Sequence, residues 1–138
     1  FIYTQLGNAA DALECFKIVA DQRPSAAHYH NYAMALFKNR DFKLAADVLL
    51  KANGIAKTQT RLISLARIYR IPGEYDKQAA TLQEALDMQG GDSIEILHLL
   101  AETHLHNKDA VAAKQVFRRI LKLDPENMRA RQVLNRPE

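Results

Sequence analysis

The chain has no tryptophan, one cysteine, five glycines and four prolines, and each scarcity excludes something. A lone Cys15 forms no intrachain disulfide and lacks the second thiol of a zinc knuckle. So few glycines and prolines leave too little punctuation for the many turns of a β-sandwich. No run reaches the ~20 apolar residues of a membrane span, and no charged start leads into an apolar signal segment. The formal net charge is +3, a mild excess and not the dense basic stripe that follows a phosphate backbone. Location is not legible from these features.

The composition is 48% hydrophobic and 25% charged over 138 residues. That is too apolar for disorder and enough to bury a core. The opening FIYTQLG has no helix cap before its apolar residues, which reads as a helix entered partway along and as an excerpt of a longer protein.

The dominant signal is self-similarity. Tyr29, Tyr32, Ala33 and Leu36 recur 33 residues later as Leu62, Leu65, Ala66 and Tyr69, and 35 further as Leu97, Leu100, Ala101 and His104. The spacing i, i+3, i+4, i+7 places each bulky, bulky, small, bulky set on one helical face. A second helix follows each first, marked by Ala12 and Phe16, Ala45 and Leu49, Gln78 and Leu82, Ala113 and Phe117. The unit is therefore a helical hairpin. Gly7, Asn39-Arg40-Asp41, Ile71-Pro72-Gly73 and Asn107-Lys108-Asp109 break the hairpins internally. Arg23-Pro24-Ser25, an Asn53-Gly54 stop, Gln89-Gly90-Gly91-Asp92 and Asp124-Pro125-Glu126-Asn127 separate them.

These residues resemble the tetratricopeptide repeat, Trp-x2-Leu-Gly-x2-Tyr, then Ala-x3-Phe, then Pro, over ~34 residues. LGNAADALECF, GEYDKQAATLQEAL and FRRILKLDPEN are similar to its second helix and borders. The departures are the missing Trp, Ala33, Ala66 and Ala101 for the glycine, Gln78 for the small alanine, and Lys57 for one terminal proline. A long amide at Gln78 needs both room and a hydrogen-bond partner. The resemblance implies an all-α fold, an α-solenoid of stacked antiparallel hairpins in a right-handed superhelix. It divides a single array into a partial repeat over 1–25, repeats over 26–58, 59–93 and 94–127, and a further or capping helix over 128–138. In that last helix Ala130, Val133 and Leu134 face inward, with Arg129, Arg131, Gln132 and Arg136 outward. Such hairpins cover one another's apolar faces. Ala12, Leu13 and Phe16 in the partial first repeat keep half their cover, which makes self-association there an expectation.

The family implies a concave groove lined by the remaining first-helix positions: His30, Asn31, Met34, Phe37 and Lys38; Ile63, Ser64, Arg67, Arg70 and Ile71; His98, Glu102, Leu105 and His106. Met34, Phe37, Ile63 and Leu105 are apolar groups the core does not claim, and Lys38, Arg67 and Arg70 collect positive charge. A protein or peptide partner with acidic and apolar segments is complementary. Relatives that grip a chain-terminal carboxylate use Lys, Asn and Arg where this chain has His30 and Met34, then Ser64, then Glu95 and Leu99, so that clamp is missing.

Two other chemistries were weighed. His98, Glu102 and His106 share a face at i, i+4, i+8, yet the outer two are ~12 Å apart along the axis, and zinc sits ~2.0–2.2 Å from its ligands. One ion does not take all three, and the expectation is solvated residues, with Glu102 pairing with either histidine. His104 belongs to the buried set. The strip Lys114, Arg118 and Lys122, with Arg119 beside it, is the densest basic feature, but no exposed aromatic interleaves it to stack on bases. Cys15 has no His nearby in sequence to activate it. The reading is a non-enzymatic interaction module for a protein partner, with no cofactor, metal, nucleic acid or direct membrane insertion. The alternative is a metal-dependent or RNA-associated activity at those histidines or that strip.

Overall fold

A computed structural model describes residues 9–88 and 93–135, and within them every regular element is an α-helix. In order these are α1 (Ala9–Gln22), α2 (Ala26–Lys38), α3 (Phe42–Ile55), α4 (Gln59–Arg70), α5 (Tyr75–Asp87), α6 (Ile94–His106), α7 (Ala110–Leu123) and α8 (Met128–Leu134). The opening FIYTQLG, the Gly7 break, the Gln89–Asp92 break and Arg136 lie outside the described residues. The helices form two compact units, residues 1–72 and 73–138, and the division falls inside the repeat expected over 59–93.

In the first unit α1 packs on α2, α2 on α3 and α3 on α4. Its core joins Tyr32, Ala33 and Leu36 of α2 to Ala45, Val48, Leu49 and Ala52 of α3 and to Leu65 and Ile68 of α4. In the second unit α5 packs on α6, α6 on α7 and α7 on α8, burying Leu97, Leu100, Ala101, Ala113, Phe117, Ile120, Ala130 and Val133. Ala33, Ala66 and Ala101 are at most 2% exposed. The small residue of each set thus sits at a helix contact where a longer side chain has no room.

Side chains cap the first helix of each hairpin. Ser25 accepts from the His28 amide at 3.1 Å, Thr58 from Arg61 at 3.1 Å, Ser93 from Ile96 at 3.4 Å and Asn127 from Ala130 at 2.9 Å, each satisfying one amide that a helix start leaves open. The turns inside the hairpins share one backbone solution, a left-handed residue at Arg40 (φ 64°), Gly73 (φ 80°) and Lys108 (φ 59°). At two of them the main-chain bonds are those of a Schellman motif. Arg40 N–H donates to Phe37 and Asp41 N–H to Leu36, while Lys108 donates to Leu105 and Asp109 to His104.

The expected Asn53-Gly54 stop is corrected: α3 runs on through Ile55, and the Ala56 amide closes it on Ala52. Ala52 is 0% and Asn53 8% exposed, so packing holds this last turn helical against the local preference of Asn and Gly. Both amide atoms of Asn53 are buried without a hydrogen-bond partner. Gln78 is likewise buried, and its Oε1 has no partner; the room expected as necessary is there, the acceptor's partner is not.

Candidate functional site

In the first unit α2 presents His30, Asn31, Met34, Phe37 and Lys38, and α4 presents Ile63, Ser64, Arg67 and Arg70. Asn31, Lys38, Arg67 and Arg70 are exposed; the other five are half-buried. Met34 and Phe37 pack against the core, and the Phe37 ring meets Phe42 edge-on at 5.5 Å. This corrects the expectation that the core leaves them unclaimed: both pack on it, and Phe42 at the start of α3 adds a ring against Phe37. The Arg40 guanidinium in turn covers the Phe42 ring at 5.5 Å. Ile71, just past α4, is half exposed.

The first-unit first helices are also distinct in charge. α2 and α4 carry Lys38, Arg61, Arg67 and Arg70 and no aspartate or glutamate. Arg67 and Arg70 stand in the last turn of α4, where the helix dipole favours cations, whereas Arg61 stands in the first turn, where it does not. Its Nη1 donates to the Ala56 carbonyl at 2.6 Å, while its Nε is buried without a partner, as is Nδ1 of His30. Burial, and then the charge of Arg61, hold the His30 imidazole below its ordinary pKa. His30 and Arg61 line one cavity of about 220 Å³. A larger cavity of about 550 Å³ lies between α1 and α2, with Leu13, Phe16, Met34 and Lys38 in its wall.

In the second unit the aligned trio of α6 goes three separate ways. His98 is half-buried, with Nε2 3.1 Å from Asn127 Nδ2 and its ring edge-on to Phe117. Glu102 takes both hydrogen bonds of an Arg129 fork, at 3.1 and 3.4 Å, and not a pairing with either histidine. Arg129, expected to face outward, reaches back to α6 because α8 packs beside α7 with its first turn over Glu102. His106 is exposed and stacks on Tyr75 at 5.9 Å, beside an Asn107 amide that donates to Asp76 at 3.0 Å. Leu105 and His104 are half-buried. Among the described residues no three His, Cys, Asp or Glu side chains are grouped to hold a metal ion.

The basic strip lies on α7, where Arg118 and Lys122 are exposed and Lys114 and Arg119 are half-buried. No described helix is long and apolar enough to cross a membrane. Cys15 is exposed on α1.

Helices of this length, with buried Ala33, Ala66 and Ala101 and matching turns after α2 and α6, agree with two tetratricopeptide repeat family models, one matching residues 3–59 and the other 94–127. The chain belongs to the tetratricopeptide repeat family. Solved structures share the fold. A tetratricopeptide repeat protein from Parabacteroides merdae is similar with TM-score 0.74 and 21% identity, over 95% of this chain and 53% of that one. The Pseudomonas aeruginosa protein pilF gives 0.68 and 21%, over 96% and 61%. The APC/C hetero-tetramer Cut9-Hcn1 gives 0.68 and 20%, over 97% and 27%. The chain thus spans about half of the Parabacteroides protein. No curated protein matches the sequence. A tetratricopeptide repeat is in general a protein–protein interaction module, and its fold is typically a non-enzymatic scaffold.

Two features escaped the sequence. Arg61 is absent from the expected groove positions, although a cation in a first helical turn is itself a signal, since the dipole opposes it there. Asn127 belongs to an expected break and Arg129 to an expected outward face, and nothing local marks them as partners of His98 and Glu102.

Proposed function

We propose that this chain is a non-enzymatic interaction module that holds a protein or peptide partner on the exposed faces of its first helices, chiefly α2 and α4. The observation that carries this reading is the combination of four cations and no acid on those two helices with half-buried Met34, Phe37 and Ile63 on the same helices. Apolar groups anchor a partner, and unopposed charge selects its sign and speeds its approach. The partner that fits is acidic with apolar side chains. One neighbour of this fold is part of a hetero-tetramer, an assembly of protein with protein, and the same use is proposed for this chain.

Lys38 and Arg67 are exposed, so the test is a Lys38→Glu, Arg67→Glu double variant in affinity capture followed by mass spectrometry. A partner held by the wild type and lost by the variant, with the helical circular dichroism unchanged, is the expected result. Full retention of the partner would place binding on another surface. Phe37 is left intact in this test because it packs on Phe42 and the core.

A further inference from the structure

We infer that the pocket between the start of α4 and the first half of α2 seats one carboxylate side chain of an acidic peptide partner, with Arg61 and His30 as its donors. This rests on the partner reading above and gives it an address. Arg61 Nε and His30 Nδ1 are both buried without a hydrogen-bond partner, and both residues line the same cavity. Buried polar groups are nearly always paired in folded proteins, so two unpaired ones on residues that line one cavity mark a place where a small rearrangement would admit an outside acceptor.

The chemistry of that acceptor follows from its surroundings. Arg61 has its Nη1 tied to the Ala56 carbonyl, which fixes the guanidinium and leaves the Nε side to meet a planar pair of oxygens, the geometry of a carboxylate fork. Neither α2 nor α4 has an aspartate or glutamate of its own to fill that role. Arg61 also stands in the first turn of α4, where the positive end of the helix dipole adds to its charge and favours an anion. At about 220 Å³ the cavity holds a side chain and not a helix. An entering carboxylate offsets the Arg61 charge that, after burial, lowers the His30 pKa. The clamp residues by which relatives hold a chain-terminal carboxylate are absent here: His30 stands at one of their positions as a different residue, the other positions hold no cation or amide, and Arg61 stands at none of them. The seat is therefore one for an internal Glu or Asp.

The test measures fluorescence anisotropy of a labelled peptide of alternating Glu and Leu with the full chain, against the same peptide carrying Gln for Glu. The Glu peptide is expected to bind at least about ten-fold more tightly, the usual worth of a hydrogen bond to a charged group. Thr60 is exposed at the pocket rim in the first turn of α4, where an acid suits the helix. Thr60→Glu is therefore expected to keep the melting temperature while weakening the Glu peptide about ten-fold or more, and Arg61→Gln to weaken it similarly. In NMR titration the Arg61 Nε–H resonance is expected to move with the Glu peptide and stay put with the Gln peptide. If Lys38→Glu, Arg67→Glu weakens the peptide but Thr60→Glu does not, the pocket assignment is overturned and the wider groove survives. Equal binding of the Glu and Gln peptides overturns both. Tighter binding of a phosphoserine version than of the Glu version overturns the carboxylate assignment in favour of phosphate.

Discussion

Phe16 and Phe117 hold the same position of the repeat in the two units, yet Phe16 is 40% exposed and Phe117 is 0%. Phe117 lies on α7, which packs on both α6 and α8, while α1 packs chiefly on α2. The same motif therefore specifies which face is apolar, and the flanking hairpins decide how far it is buried. The first helices differ as well. α2 and α4 carry only cations, whereas α6 carries Glu95 and Glu102 and no lysine or arginine. In the first unit the charge on that face is unopposed within its helices, and in the second Glu102 is already engaged by Arg129.

The sharpest way to break this comparison is to truncate the two phenylalanines. Phe117→Ala is expected to cost about 3–5 kcal/mol, the range for emptying a fully buried aromatic site, and Phe16→Ala to cost well under half of that. Urea denaturation of both variants decides it, and equal losses would mean the two positions are equally packed. Next in size is a test of what the units share. Ala33→Leu and Ala101→Leu are each expected to lose about 1–3 kcal/mol by overpacking, since both alanines are 0% exposed; a thermal melt unchanged for either would show that its helix contact has room to spare. The smallest effect concerns the engaged glutamate. Glu102→Gln is expected to lose less than about 1 kcal/mol, because the pair with Arg129 is about 40% exposed and screened by solvent. A larger loss, measured in the same melts at low and high salt, would make α8 a stronger clasp than its exposure implies.

Much of this architecture was legible beforehand because its signals are local. The spacing of bulky and small residues located the core faces of α2, α4 and α6, and Asn39-Arg40-Asp41, Pro72-Gly73 and Asn107-Lys108-Asp109 located the turns, with only the middle one using glycine for the left-handed residue. What was not legible depends on contacts across hairpins. Asn53-Gly54 reads as a stop until burial of Ala52 and Asn53 carries α3 onward. Met34 and Phe37 read as spare apolar groups until the core packs against both and Phe42 against Phe37. The Glu102–Arg129 pair joins residues 27 positions apart, on helices whose mutual placement no periodicity states. The candidate site was legible as a set of first-helix positions; the open donors of His30 and Arg61 required knowing which atoms packing leaves unpaired.

The main-chain turns of the hairpins have a practical corollary. Because Arg40 and Lys108 share one left-handed backbone and the same pair of main-chain bonds in corners of equal length, these two corners are expected to be interchangeable. A tripeptide exchanged between 39–41 and 107–109 is expected to leave both helix pairs folded, which makes these corners natural points at which to recombine the array.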